Sequence, residues 1–141
     1  MNTTPSIIIC ILIAAGMFLT ACTSEETSVG LKGTSWRLVS YGPVGKQTPA
    51  AADIQTRLDF GKDGQVSGKL GCNDFSGNYV VIGRKVVFAS MISSLMACAD
   101  PLMTQESTAF HVMNGTVRFK IEGITLTIYD ASGDSAITLS K

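Results

Sequence analysis

Thr56-Arg57-Leu58-Asp59-Phe60-Gly61-Lys62-Asp63-Gly64-Gln65-Val66-Ser67-Gly68-Lys69-Leu70 is the stretch that decides the fold. Leu58 and Phe60 alternate with polar neighbours, the period of a strand with one face in a core. Asp63-Gly64 supplies the positive φ of a tight turn, and Val66 to Leu70 answers as the returning strand. Before this hairpin, Trp36, Leu38, Val39 and Tyr41 form a strand from Ser35 that Gly42-Pro43 ends. After it, Gly71-Cys72-Asn73-Asp74-Phe75-Ser76-Gly77-Asn78 reads as an irregular loop. Tyr79 to Ile82, a turn at Gly83-Arg84 and Val86 to Phe88 make a second hairpin.

One helix follows. Asp100 suits its cap, Pro101 its first position and Gly115 its end, and Leu102, Ala109, Phe110 and Met113 share a face. Val117-Phe119-Ile121, Ile124-Leu126-Ile128 and Ala136-Ile137-Leu139, separated by turns at Glu122-Gly123 and Ser132-Gly133-Asp134, complete a meander. Strands, a helix, then strands predict an α+β domain, with mostly antiparallel β-strands curled into a partial barrel and one helix packed against it. A split or flattened sheet is the alternative.

The N-terminal region has a different character. Ile7 to Leu19 is almost wholly apolar, yet shorter than the roughly 20 residues that span a bilayer. Leu19-Thr20-Ala21-Cys22 resembles the lipobox of bacterial lipoproteins, in which small residues admit the protease and the cysteine thiol takes the lipid. This implies a signal peptide over 1–21, a lipidated Cys22 with a polar tether over 22–30, and a domain over 31–141. The leader opens without Lys or Arg, unlike most signal peptides, and an uncleaved apolar anchor or a buried helix is the alternative. The expected address is the cell envelope, anchored to a membrane through the lipid. Thr23 after the cysteine favours the periplasmic face of the outer membrane if the cell is Gram-negative and sorts lipoproteins as enterobacteria do. The tether carries the domain a few nanometres at most.

Eleven basic and eleven acidic residues cancel, and all lie beyond the leader. Nucleic acid is not an expected partner, because no basic stripe gives it a footprint. Of four cysteines, Cys10 leaves with the leader and Cys22 is taken by lipid. Cys72 and Cys98 remain in an oxidising compartment, where a disulfide is the expected state. Metal is not expected, since there is no CxxC and His111 is the single histidine.

No cofactor and no catalysis are expected. Gly64 to Leu70 lacks both the leading glycine and the Ser or Thr of a phosphate loop. No Gly-x-Ser-x-Gly elbow is present, and any Ser-His-Asp triad must pivot on His111, which falls off the helix's apolar stripe. Asp59, Asp63 and Asp74 read as solvated strand, turn and loop carboxylates. Asn73 is expected to hydrogen-bond loop backbone, and Met91, Met96, Met103 and Met113 to fill the core or an adaptable surface. Asn73 and Met96 are thus candidates for a binding or structural loop.

Gly71-Cys72-Asn73 with Gly77 and Tyr79 beyond it, then Met96-Ala97-Cys98 before a helix, resembles the META domain of the HslJ heat-shock protein family. Gly33-Thr34-Ser35-Trp36 and the later Gly123, Leu126 and Gly133 fit the same pattern, so the likeness covers nearly all of 31–141. Ser94 stands where that family often has Thr. The resemblance implies a small β-rich domain, paired cysteines in many secreted members, and a link to envelope stress and aminocoumarin resistance in the namesake. It implies no enzyme. The expected function is a non-catalytic envelope lipoprotein that binds a protein or lipid-like partner. The alternatives are a pilot-like assembly factor for an outer-membrane complex, or an envelope hydrolase or its inhibitor.

Overall fold

The computed structural model describes residues 30–141. The expected leader with Cys10, the lipidation site Cys22 and the tether up to Val29 lie outside the described residues. In chain order the elements are β1 (Thr34–Pro43), β2 (Thr48–Pro49), β3 (Arg57–Phe60), β4 (Gln65–Lys69), β5 (Asp74–Ile82), β6 (Lys85–Ser93), α1 (Leu102–Val112), β7 (Thr116–Glu122), β8 (Thr125–Tyr129) and β9 (Ser135–Ser140).

Every pairing is antiparallel. β1 pairs with β3, each later strand pairs with the next, and β9 returns to β1 from Arg37↔Ser140 to Pro43↔Ser135. Eight strands therefore close into a barrel, and β2 is a two-residue addition on Ser40 and Tyr41. The partial barrel read from the sequence is thus completed. Closure satisfies most of the main-chain groups that an open edge would leave unpaired, with an exception on β6.

Strand alternation fills the interior. Trp36, Leu58, Phe60, Val66, Val86, Leu126, Ile128, Ile137 and Leu139 are all buried there. Phe60 meets Tyr79 edge-on at 4.9 Å and lies 6.2 Å from Phe88. The helix packs against β9 and β1, burying Ala109, Val112 and Met113, while Phe110 sits edge-on to Phe75 at 5.3 Å. Among the described residues the barrel closes on itself around one continuous core with the helix against it, so residues 30–141 carry the contacts that a folded domain needs.

Two local readings are corrected. Pro101 stands at the N-cap rather than the first helical position, and Asp100 supports the first turn by accepting from the Thr104 N–H (3.2 Å) and hydroxyl (2.7 Å). The loop expected over 71–78 is strand from Asp74 onward, and β6 continues past Phe88 to Ser93. A β-bulge explains why both were hidden. The register passes from Asn78↔Ala89 to Ser76↔Ile92, so β6 carries one extra residue, with Ser90 at φ 52°. That insertion shifts the alternation by one position and breaks the period-2 signal.

Candidate functional site

The end of the barrel beside the helix is organised by the segment after β4. A Cβ at Gly71 would lie 2.5 Å from the Glu106 Cβ and 2.6 Å from the Leu102 carbonyl oxygen, so only glycine lets the helix come this close. The next residue, Cys72, is bonded to Cys98 with 5.9 Å between their Cα atoms. This ties the start of β5 to the segment leading into α1.

Asn73 then gathers three parts of the chain. Its side-chain oxygen accepts from the Ser94 hydroxyl and the Met96 N–H, both at 2.8 Å. Its amide donates to the Met96 carbonyl (3.1 Å) and to Glu106 Oε1 (2.7 Å), and its backbone N–H donates to Glu106 Oε2 at 2.5 Å. Asn73 is buried, whereas the Met96 side chain is half exposed and only its backbone is held. The helix contributes Gln105 as well, which donates to the Leu70 carbonyl (2.6 Å) and accepts from Ala51 N–H (2.8 Å). Gln105 and Glu106 were missed in the sequence because polar side chains argue against burial. The signal was their phase, three and four residues after Leu102 and four and three before Ala109.

Below this clamp the barrel wall opens sideways. β6 pairs with β7 only from Lys85 to Val87, and the Phe88 N–H ends that edge on the Gly115 carbonyl (2.9 Å). From Ala89 to Ser93 no described strand pairs with the outer edge of β6. A groove of about 510 Å³ lies there between strand and helix, lined among others by Phe88, Met91, Ile92, Phe110, Met113 and Gly115. Ile92 is 69% exposed, and nearby Leu95 is 96% exposed. The bulge shapes this groove: a Cβ at Gly77 would lie 2.5 Å from the Met91 sulfur and 3.0 Å from the Ala89 carbonyl oxygen.

A profile of the META domain matches residues 29–141. The chain belongs to the META domain family. An NMR structure of a protein from Burkholderia xenovorans is 19% identical, with 97% of each chain covered and a TM-score of 0.65. A second NMR structure is 20% identical over 77% of this chain and 88% of its own, with a TM-score of 0.60. The crystal structure of a DUF4847-family protein from Bacteroides vulgatus is 12% identical over 77% and 92%, with a TM-score of 0.55. These likenesses establish a shared fold. No curated protein matches the chain.

Among the described residues of this META domain, the titratable groups sit in separate local contacts. Asp130 lies between a hydroxyl and an imidazole, those of Ser132 and His111. Its carboxylate accepts from Ser132 Oγ (3.1 Å) and stands 3.7 Å from His111 Nε2, whose side chain is 70% exposed. A nucleophilic relay requires the histidine in the middle, and here the carboxylate occupies that place. Burial alone would raise the Asp130 carboxyl. The N–H groups of Gly133 (2.6 Å) and Asp134 (3.0 Å), with Ser132, more than offset this and hold it below its ordinary value. Asp130 thus organises the turn before β9. Burial, with the nearby Asp63 charge, pushes Tyr79 upward, and its hydroxyl donates to the Gly61 carbonyl at 2.7 Å. Asp59 is held by Arg57 Nε at 2.6 Å and by the Ser35 hydroxyl, Asp63 accepts from Gln65 N–H at 3.1 Å, and Asp74 is exposed. Among the described residues, no three His, Cys, Asp or Glu side chains converge as a metal site.

Proposed function

We propose that this chain is an envelope lipoprotein, anchored through Cys22, whose META domain binds a partner in the lateral groove between β6 and α1 without catalysing a reaction. The observation that carries the reading is the unpaired edge from Ala89 to Ser93 beside apolar Met91, Ile92, Phe110 and Met113. A strand edge offers main-chain donors and acceptors to an extended segment, while flanking pockets take its side chains. That combination favours a protein partner over a purely apolar ligand. Cys72–Cys98 and the Asn73–Glu106 contacts fix the start of α1 and the segment from Ser94 to Met96, which keeps the groove preformed.

A pilot-like role that takes a partner's tail inside the barrel is disfavoured, because Phe60, Tyr79, Phe88 and their neighbours fill the interior. The test is site-specific photocrosslinking in intact cells from position 92, with position 46 in the β1–β2 turn as control. One discrete crosslinked envelope protein from position 92 alone supports the groove. Equal labelling from both positions, or none from 92, rejects it.

A further inference from the structure

A second hollow, of about 490 Å³, lies where the start of β1, the start of β3, the end of β4 and the end of β9 meet, and it shares no lining residue with the groove. Alternation turns Trp36 and Leu58 inward, so Arg37 and Arg57 face out on β1 and β3. With Lys69 from β4 and Lys141 at the end of the chain they line the hollow. A chain with eleven cations and eleven anions thus places four of its cations in one depression.

Their partners leave a positive excess. Arg57 is engaged by Asp59 at 2.6 Å. Arg37 and Lys69 form no ion pair with a described residue, and Lys141 Nζ stands 5.0 Å over the Trp36 ring. Asp74 is the one acidic side chain among the described lining residues, too few to balance Arg37, Lys69 and Lys141.

What meets this hollow follows from where the chain leads. The described residues begin at Gly30, five positions before Ser35 on the wall. Seven residues, Thr23 to Val29, separate that point from Cys22, and fully extended they reach at most about 25 Å. An anchor on Cys22 therefore keeps a cationic surface within a short distance of lipid headgroups. We infer that Arg37, Lys69 and Lys141 dock the domain on anionic phospholipid headgroups, with the phosphates taken in this hollow. The inference rests on the Cys22 anchor for its reach. Because β6 and α1 contribute nothing to the hollow, a domain seated this way keeps its partner groove free.

The test uses residues 30–141, which have no anchor, and sedimentation with vesicles. One set is phosphatidylcholine alone, and the other contains about one-third phosphatidylglycerol, since a cation near an anionic surface strengthens binding about fivefold. Binding to the anionic set only, reduced by salt and lowered at least about tenfold by Arg37→Gln with Lys69→Gln, supports the docking. The exposed pair Lys46→Gln with Lys120→Gln removes the same charge elsewhere and should leave binding nearly intact in a domain that melts like the parent. Equal binding to both vesicle sets, none to either, or an equal loss from the control pair overturns it. Binding of polyglutamate without binding of vesicles also overturns it, by assigning the hollow to an acidic protein segment. Membrane fractionation of the full chain carrying Cys22→Ser tests the anchor separately, so the two failures are distinguishable.

Discussion

Asn73 and Glu106 are 33 residues apart in sequence and are joined by two hydrogen bonds, one from the Asn73 backbone N–H and one from its side-chain amide, each to a different oxygen of one buried carboxylate. Bonds of this kind, with a charged acceptor and little water, are among the stronger ones in a protein. Glu106→Ala leaves the Asn73 backbone N–H unpaired and its side-chain amide with the Met96 carbonyl alone, so the expected loss is about 2–4 kcal/mol in urea unfolding. The double variant with Asn73→Ala should lose clearly less than the two single losses together, a coupling of about 1–3 kcal/mol. Strict additivity would mean that the pair is not a unit.

The disulfide and the proposed anchor at Cys22 should be separable. Cys72→Ser with Cys98→Ser should lower stability by about 3 kcal/mol, the chain-entropy value for a loop of this length, and leave the protein in the membrane fraction. Cys22→Ser should release the protein while leaving the melting of the domain unchanged. Release by the first change, or retention by the second, would contradict this division of roles.

Gly77 shows how the bulge bears on the groove. The Cβ of Gly77→Ala would press on the Met91 sulfur at 2.5 Å and on the Ala89 carbonyl oxygen at 3.0 Å. The sulfur ends a flexible side chain and can give, whereas the main-chain oxygen resists. The expected cost is about 1–3 kcal/mol, with amide chemical-shift changes concentrated from Ala89 to Ser93. Shifts spread evenly over the barrel would argue that the bulge does not shape that edge.

Asp130 gives the domain an acid-sensitive point. Its folded pKa lies below its ordinary value, so its contribution is fully present above about pH 4 and is lost as pH falls through the folded value. Asp130→Asn should be less stable than the parent at neutral pH, and the gap should narrow below about pH 4. A gap that stays constant across an acid titration of unfolding would place the effect elsewhere.

The barrel was legible because its signals are local. Leu58 and Phe60 alternate, Asp63-Gly64 turns, and the last three strands repeat the pattern with Gly123 and Gly133 between them. Asn73 was recognisable as a loop-ordering residue, since a short amide beside a cysteine bonds nearby backbone. Its long-range partner Glu106 was not, because pairing across 33 residues leaves no local trace. The groove was hidden for a related reason. It exists where the β6–β7 ladder stops and a bulge breaks the alternation, and a one-residue insertion looks in sequence like the end of a strand.

The claim that the groove binds a partner is tested most directly by filling it. Ala89 is exposed and lines the groove, so Ala89→Trp should obstruct it from the strand side without disturbing the core. The decisive measurement is the yield of the crosslink from position 92 in cells, compared with and without Ala89→Trp. Most of the crosslinked product should be lost from a domain with unchanged melting. An undiminished yield would mean that the groove does not hold the partner.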